Sequence, residues 1–386
     1  MIKYSHALIA IILIFISHFI YNLLERAEIF KKVTEINMEN KLCHKIPYKN
    51  PIEDFVVLDK FTLIGSSFDV PFLFHKLSYL NDSKLSNDNM IFFNIESEEL
   101  KEIPIINFPK DISFHPHGID LFQNKYIYII NHAFNHKKSF ERIEVVEIIK
   151  ENNKFKELRY IKSIILPDNF FGTLNSITAI SNDTFYFTTA NPWHMPNGQE
   201  ENNFFNIIRY KLGNLITTIF NLKLTGMYQY HKGNIKLIKE SKGVINNGII
   251  YDDENKLIYM AHTIPKQFSI YDLKNETNLI LIKTIENEYA IDNLFMNKTS
   301  GIIYAGLIGK LYDFSKATDY YRKYGDWGNS DMFGGFQTID TKNNYSIKIQ
   351  HLSNNLLRGI SSGIQIGKKQ IMTASLEGGI LICTDK

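Results

Sequence analysis

Ile245-Asn246-Asn247-Gly248-Ile249-Ile250-Tyr251-Asp252-Asp253-Glu254-Asn255-Lys256-Leu257-Ile258-Tyr259-Met260-Ala261-His262 sets out the unit from which this chain is built. A polar residue precedes a small or apolar step. A short apolar run follows, then a polar turn, then a strand of apolar and aromatic residues. Five further stretches repeat the plan. Glu53-Asp54-Phe55-Val56-Val57-Leu58 leads to Phe61-Thr62-Leu63-Ile64-Gly65, and His117-Gly118-Ile119-Asp120 leads to Tyr126-Ile127-Tyr128-Ile129-Ile130-Asn131-His132. Asn175-Ser176-Ile177-Thr178 leads to Thr184-Phe185-Tyr186-Phe187-Thr188, and Asp292-Asn293-Leu294-Phe295 leads to Gly301-Ile302-Ile303-Tyr304-Ala305-Gly306. Ser361-Ser362-Gly363-Ile364 leads to Lys369-Gln370-Ile371-Met372-Thr373-Ala374.

Strand pairs joined by Asn, Asp, Gly and Lys turns, with no helical period between them, argue for blades rather than a parallel sheet. One blade cannot cover both its faces. Blades packed around an axis bury those faces and leave only short edges. The expected fold is therefore all-β, a six-bladed β-propeller over residues 40–386. The innermost strand of each blade then starts near one mouth of the central channel. The residues at those starts are Glu53, His117, Asn175, Asn247, Asp292 with Asn293, and Ser361. Two carboxylates and three amides among them form an all-oxygen set suited to a hard cation.

The chain has 386 residues and a formal charge of +2 with His neutral. That balance gives no electrostatic footprint for nucleic acid, so no nucleic-acid partner is expected. One propeller accommodates this length without a second core. The N-terminus stands apart. Ala7 to Leu24 is nearly all apolar, follows Lys3, and sits at the lower edge of length for a membrane span. No small-residue cleavage site follows it, which favours an uncleaved signal anchor over a cleaved signal peptide. Residues 1–30 are read as this hydrophobic anchor helix and stalk, with Glu25 to Lys32 able to extend it. Positive charges on both flanks leave its orientation undecided.

Cys43 and Cys383 are the only cysteines. In a ring the first and last segments meet in one blade, so a disulfide there would clasp it shut. The alternative is two buried free thiols. A disulfide places the domain in the secretory lumen or outside the cell. Asn-x-Ser/Thr sites at Asn81, Asn182, Asn275, Asn297 and Asn344 agree with such a compartment, although several would arise by chance in a chain so rich in Asn.

The stretch Phe114-His115-Pro116-His117-Gly118-Ile119 resembles the paraoxonase/arylesterase family, with His115 in place of that family's Asn. Asn131-His132, Leu166-Pro167 before Leu174-Asn175, Asn247-Gly248-Ile249, and Asp292-Asn293 before Thr299-Ser300-Gly301 follow in the family's order. Cys43 and Cys383 fall where the family places its disulfide. The resemblance covers about Cys43 to Cys383. It implies a six-bladed propeller with a calcium-dependent lactonase and arylesterase site. It implies a catalytic calcium shell of Glu53, Asn175, Asn247, Asp292 and Asn293, with His117 as general base and His132 orienting it. It also implies a second, structural calcium on Asp54 and the Ile119 carbonyl. Ser176 stands where the family has a third, carboxylate ligand to that ion, which puts the second site in doubt. The family's free cysteine is Leu307 here, and the pocket-wall stretch Ser66 to Pro71 differs in character, so substrate preference does not carry over.

The expected activity is hydrolysis of small lactones and aryl esters. The rival is a non-catalytic, membrane-anchored chaperone assisting a membrane-protein client, as ion-channel assembly in the endoplasmic reticulum requires. Either would stand on the lumenal or extracellular face of a membrane. Two segments look like additions. Phe204, Ile208, Leu212, Leu215 and Ile219 recur at helical spacing, predicting a helix within Asn202 to Leu222. That helix either packs on the propeller or forms a canopy touching a bilayer. Tyr320 to Phe336 reads as a long surface loop.

Overall fold

Each repeat folds as a four-stranded antiparallel sheet, and six such sheets close a ring. A computed structural model describes residues 13–14, 16–25, 27–38, 41–67, 88–133, 141–152, 154–167, 170, 172–193, 212–214, 216–218, 220–324 and 331–386. The first blade is β2 (Ile52–Asp59), β3 (Thr62–Ser67), β4 (Asn89–Asn94) and β5 (Leu100–Ile103). The second is β7 (Pro116–Phe122), β8 (Tyr126–His132), β9 (Glu141–Glu151) and β10 (Lys154–Ile165), with the short β6 (Ile105–Ile106) parallel at its rim. The third is β11 (Thr173–Ser181), β12 (Thr184–Asn191), β13 (Met227–His231) and β14 (Asn234–Leu237). The fourth is β15 (Ile245–Asp252), β16 (Leu257–Ile264), β17 (Gln267–Asn275) and β18 (Asn278–Glu286). The fifth is β19 (Ala290–Asn297), β20 (Ile302–Ile308), β21 (Gly334–Asp340) and β22 (Ser346–Ser353). The sixth is β23 (Ile360–Ile366), β24 (Lys369–Ala374), β25 (Ile380–Asp385) and β1 (Lys41–Ile46).

The N-terminal strand thus closes the ring. Lys45 and Ile46 belong to the outer strand of the last blade and not to the first. Ladder bonds to β25 are available there, whereas the first blade already has four strands. Cys43 sits opposite Cys383 in that pairing, and the two are joined by a disulfide.

Alternation along the strands sends large apolar side chains into the spaces between blades. Phe93, Phe336, Ile364, Met372 and Ile382 form one such core across the closure, with Tyr304 stacked on Phe336 at 5.7 Å. Such burial is worth about 25 cal/mol per Å² of apolar surface, which is what favours the ring over separate sheets.

Successive strands reverse direction, so every second strand ends at the face where the inner strands begin. The long connections 68–87, 133–140, 192–226 and 309–333 all leave from that face. The last contains a helix, Leu311–Tyr324, and β21 already includes Phe336, so Tyr320 to Phe336 is not one long loop. The helix buries Ala317 and Thr318, and Glu28 Oε2 accepts from the Leu311 N–H at 2.8 Å at its N-terminus. Residues 212–214 and 216–218 are helical; Phe204, Ile208, Leu215 and Ile219 lie outside the described residues. Residues 13–14 and 16–25 are helical, and the Phe19 and Phe220 rings meet at 5.6 Å. Among the described residues, no helix is long and apolar enough to cross a membrane. Residues 7–12 and 15 of the expected anchor lie outside them.

A strap over residues 27–38 then crosses blades four and five. Glu28 is 5 % exposed and accepts from Lys266 Nζ at 2.7 Å and Lys31 Nζ at 3.1 Å. Ile36 bridges to Leu352 through paired backbone bonds, and Glu35 accepts from Ser353. The turns at Asn182, Asn275, Asn297 and Asn344 lie on the opposite face; Asn81 lies outside the described residues.

Candidate active site at the channel mouth

The register of every inner strand slips near its start. The slips fall between Ile52 and Asp54, Pro116 and Ile119, Leu174 and Ile177, Asn246 and Ile249, Ile291 and Leu294, and Ile360 and Ser362. Glu53, His117, Asn175, Asn247, Asp292, Asn293 and Ser361 all lie inside those slips. An irregularity of this kind turns a side chain out of the pleat. Here all six turn the polar side chains towards one mouth of the axis. Gly118 and Gly248 follow two of them. A Cβ on Gly118 would stand 2.3 Å from the Asn175 carbonyl oxygen. A Cβ on Gly248 would stand 2.6 Å from Leu294 N and 2.8 Å from the Asp292 carbonyl oxygen. Glycine is therefore what lets neighbouring inner strands approach at the site.

The residues expected to form the cation shell converge and are buried: Glu53 2 %, Asn175 6 %, Asn247 7 %, Asp292 4 % and Asn293 1 % exposed. Asn293 Nδ2 donates to the Glu53 carbonyl at 3.0 Å and to Glu53 Oε1 at 3.2 Å. Asn175 Nδ2 lies 3.3 Å from His117 Nε2, and Asn247 Nδ2 reaches Thr263 Oγ1 at 3.4 Å. Each amide thus spends its NH₂ on the protein. Asn175 Oδ1, Asn247 Oδ1, Asn293 Oδ1 and Glu53 Oε2 are buried with no hydrogen-bond partner. A buried acceptor left unsatisfied costs about 1–3 kcal/mol, so four at one point need a ligand that takes only lone pairs. A hard cation meets that need, and an all-oxygen set suits calcium. Among the described residues, no three His, Cys, Asp or Glu side chains form a metal cluster; amides supply most of these donors.

The electrostatics agree. Burial, then Asp292 and Asp54, holds the Glu53 carboxyl well above the usual carboxylate range. Burial pushes Asp292 up to about 7, against a hydrogen bond from Asn247 that lowers it. Burial likewise pushes Asp54 up to about 7. No cationic side chain is among the groups that shift these three.

Asp54 differs from the others in its contacts. Its Oδ1 accepts from Phe55 N at 2.9 Å and from Ser362 Oγ at 3.3 Å, and its Oδ2 accepts from Ile119 N at 3.1 Å. Ser176 Oγ accepts from Ile249 N at 3.3 Å. The Asp54 oxygens are engaged by protein donors, and Ser176 brings no charge. A second calcium here would have to share the Asp54 oxygens with these donors and lacks a carboxylate at Ser176. Below them the channel continues as a cavity of about 590 Å³ lined by Ile119, Asp120, Thr178, Ile249 and Leu294.

His117 stands beside the oxygen cluster, its Nε2 3.6 Å from Glu53 Oε1. Its ring meets that of His132 edge-on, with centroids 5.1 Å apart. Burial, then His132, lowers the His117 pKa well below the usual imidazole value, so the ring is neutral and one of its nitrogens carries a lone pair. Neighbouring contacts fix the surroundings. Asn131 Oδ1 accepts from His115 N at 2.8 Å, and Asn131 Nδ2 donates to the Ser113 carbonyl at 3.1 Å. His115, the departure noted in the sequence, pairs its Nδ1 with Asp88 Oδ2 at 2.8 Å. Ser361 Oγ donates to the Glu53 carbonyl at 2.7 Å. Asp88, Thr263 and Ser362 were not singled out from sequence, because their role depends on which strands become neighbours.

The fold and its site thus define a six-bladed propeller with an amide-rich oxygen cluster and an imidazole pair at one mouth. The chain belongs to the arylesterase family, whose model matches residues 77–314, more than half of it. It is similar to serum paraoxonase/arylesterase 2 of Bos taurus, 24 % identical over 56 % of this chain and 55 % of that protein. It is similar to serum paraoxonase/lactonase 3 of Oryctolagus cuniculus, 27 % identical over 56 % of this chain and 55 % of that protein. The chain thus matches about half the length of these curated relatives. Among solved structures, a candidate gluconolactonase shares the fold with a TM-score of 0.50 at 10 % identity, covering 93 % of this chain and 96 % of the other.

Proposed function

We propose that this protein hydrolyses small lactones and aryl esters at the channel mouth, with one calcium ion held by Glu53, Asn175, Asn247, Asp292 and Asn293. The four unpartnered oxygens carry this reading. Calcium bound there supplies Lewis acidity that favours negative charge on a carbonyl oxygen. The residues supply the rest. His117 takes a proton from water as that water's oxygen bonds to the carbonyl carbon. The ester C–O bond then breaks, and His117 returns the proton to the departing alkoxide or phenoxide. Burial around the cluster keeps bulk water away and strengthens each charge interaction.

The surroundings support a membrane-associated, lumenal or extracellular setting. The disulfide belongs to an oxidising compartment. Leu212, Ile216, Phe220, Leu222 and Leu224 are exposed, and the Phe220 ring meets Phe19 in the helical residues 16–25. Residues 7–24 are proposed to anchor the chain, and glycans at the four described Asn-x-Ser/Thr sites would stand away from the mouth.

The test is a panel of lactones and phenyl acetate, with calcium and with chelator, on wild type and Asp292→Asn. Asp292→Asn keeps the shape but removes a charge from the shell. Activity is expected to fall about a hundredfold or more, with partial recovery at high calcium. Wild-type protein with calcium bound that hydrolyses nothing in the panel would leave the chaperone reading. Activity unchanged in Asp292→Asn would place the site elsewhere.

A further inference from the structure

We infer that Glu141 is a positioning residue for this chemistry, acting through His132; the inference rests on the hydrolytic reading above. Glu141 opens β9 directly opposite His132, the last residue of β8. Directly opposed residues project from the same face of a sheet. Glu141 Oε2 lies 2.9 Å from His132 Nδ1, with His132 fully buried and Glu141 5 % exposed. The same oxygen accepts from the Leu174 N–H at 3.3 Å, one residue before Asn175.

An ionised carboxylate only accepts hydrogen bonds. With Glu141 ionised, the pair puts the His132 proton on Nδ1 and the lone pair on Nε2, and it fixes the plane of the ring. His132 in turn meets His117 edge-on. When His117 takes its proton, positive charge appears beside a neutral His132. The carboxylate behind His132 favours that charge and holds His132 at the angle it needs. The order from the channel outwards is Glu53, His117, His132, Glu141. A merely structural Glu141 would only tie the second blade to the third through Leu174.

The experiment uses the full chain with calcium. Glu141→Gln keeps the size of the side chain but removes its charge and no longer dictates the tautomer. Turnover of phenyl acetate is expected to fall about tenfold or more, with KM, calcium affinity and unfolding midpoint near wild type. His132→Gln with Glu141→Gln should be no slower than His132→Gln alone, since both act at one ring. In the wild type, a far-downfield imidazole Nδ1–H proton resonance should be present, and it should vanish in His132→Gln. An active wild type with Glu141→Gln turning over at full rate overturns the inference while leaving the hydrolase standing. Independent losses in the double variant, or loss only in step with unfolded protein, do the same. A wild type that hydrolyses nothing overturns the hydrolase reading and this inference with it, and the proton resonance then reports the pair alone.

Discussion

Asp292, Asp54 and Glu53 are carboxylates that burial holds towards the protonated form. A group whose folded pKa is raised contributes stability that is complete below its unfolded value, about 4 for these side chains. That contribution is lost as pH rises through the folded value, here about 7 for Asp292 and Asp54. Chelator-treated protein should therefore unfold more readily at about pH 8 than at about pH 5. Calcium should remove the difference by stabilising the ionised forms. Its own affinity should weaken as pH falls through about 7, where protons compete for the ligands. Thermal unfolding across pH, with chelator and with calcium, checks both; a flat profile for chelated protein would refute the account. The shell residues were legible as polar residues opening apolar strands. Glu141 was not, since it is polar among polar neighbours until the β8–β9 register puts it opposite His132.

At the scale of the elements, strand periodicity was readable and strand irregularity was not. The alternation of apolar residues located the inner strands, yet nothing in it marks where the register slips. Those six slips are what aim the side chains at the axis. The helix Leu311–Tyr324 was missed for a related reason. Its apolar stripe is thin, with Tyr312, Tyr320 and Tyr324 exposed, and its N-terminus is satisfied by a residue 283 positions earlier. Gly248→Ala tests the slip in the fourth blade. The added methyl would meet Asn293 Cα at 2.8 Å, so β19 must move. Overpacking of this kind costs about 1–3 kcal/mol. Calcium affinity should fall together with the unfolding midpoint, because the atoms displaced belong to Asp292 and Asn293. A lower midpoint with unchanged calcium affinity would show that the strand absorbs the methyl without moving the ligands.

At the scale of the molecule, the site exists only while the ring is closed. The proposed calcium ligands come from the first, third, fourth and fifth blades, so opening the ring anywhere would loosen the site. Closure rests on two devices. One is the pairing of β1 with β25 over Lys41 to Ile46. The other is the disulfide, which spans 340 residues of chain. A cross-link over so long a loop restricts the unfolded chain by about 5 kcal/mol in the entropy model, and native disulfides of secreted domains are worth about 2–5 kcal/mol. Replacing both Cys43 and Cys383 by Ser should lower denaturant stability by about that amount. The double variant avoids leaving a lone thiol. Reducing the wild type should reproduce the loss. Because β1 retains its ladder bonds, the folded variant should still bind calcium with near wild-type affinity, and the deficit should appear in unfolding. If reduction leaves the midpoint unchanged, strand pairing alone closes the ring. If calcium affinity collapses as well, the folded ring has opened, and the covalent clasp holds the site as well as the fold.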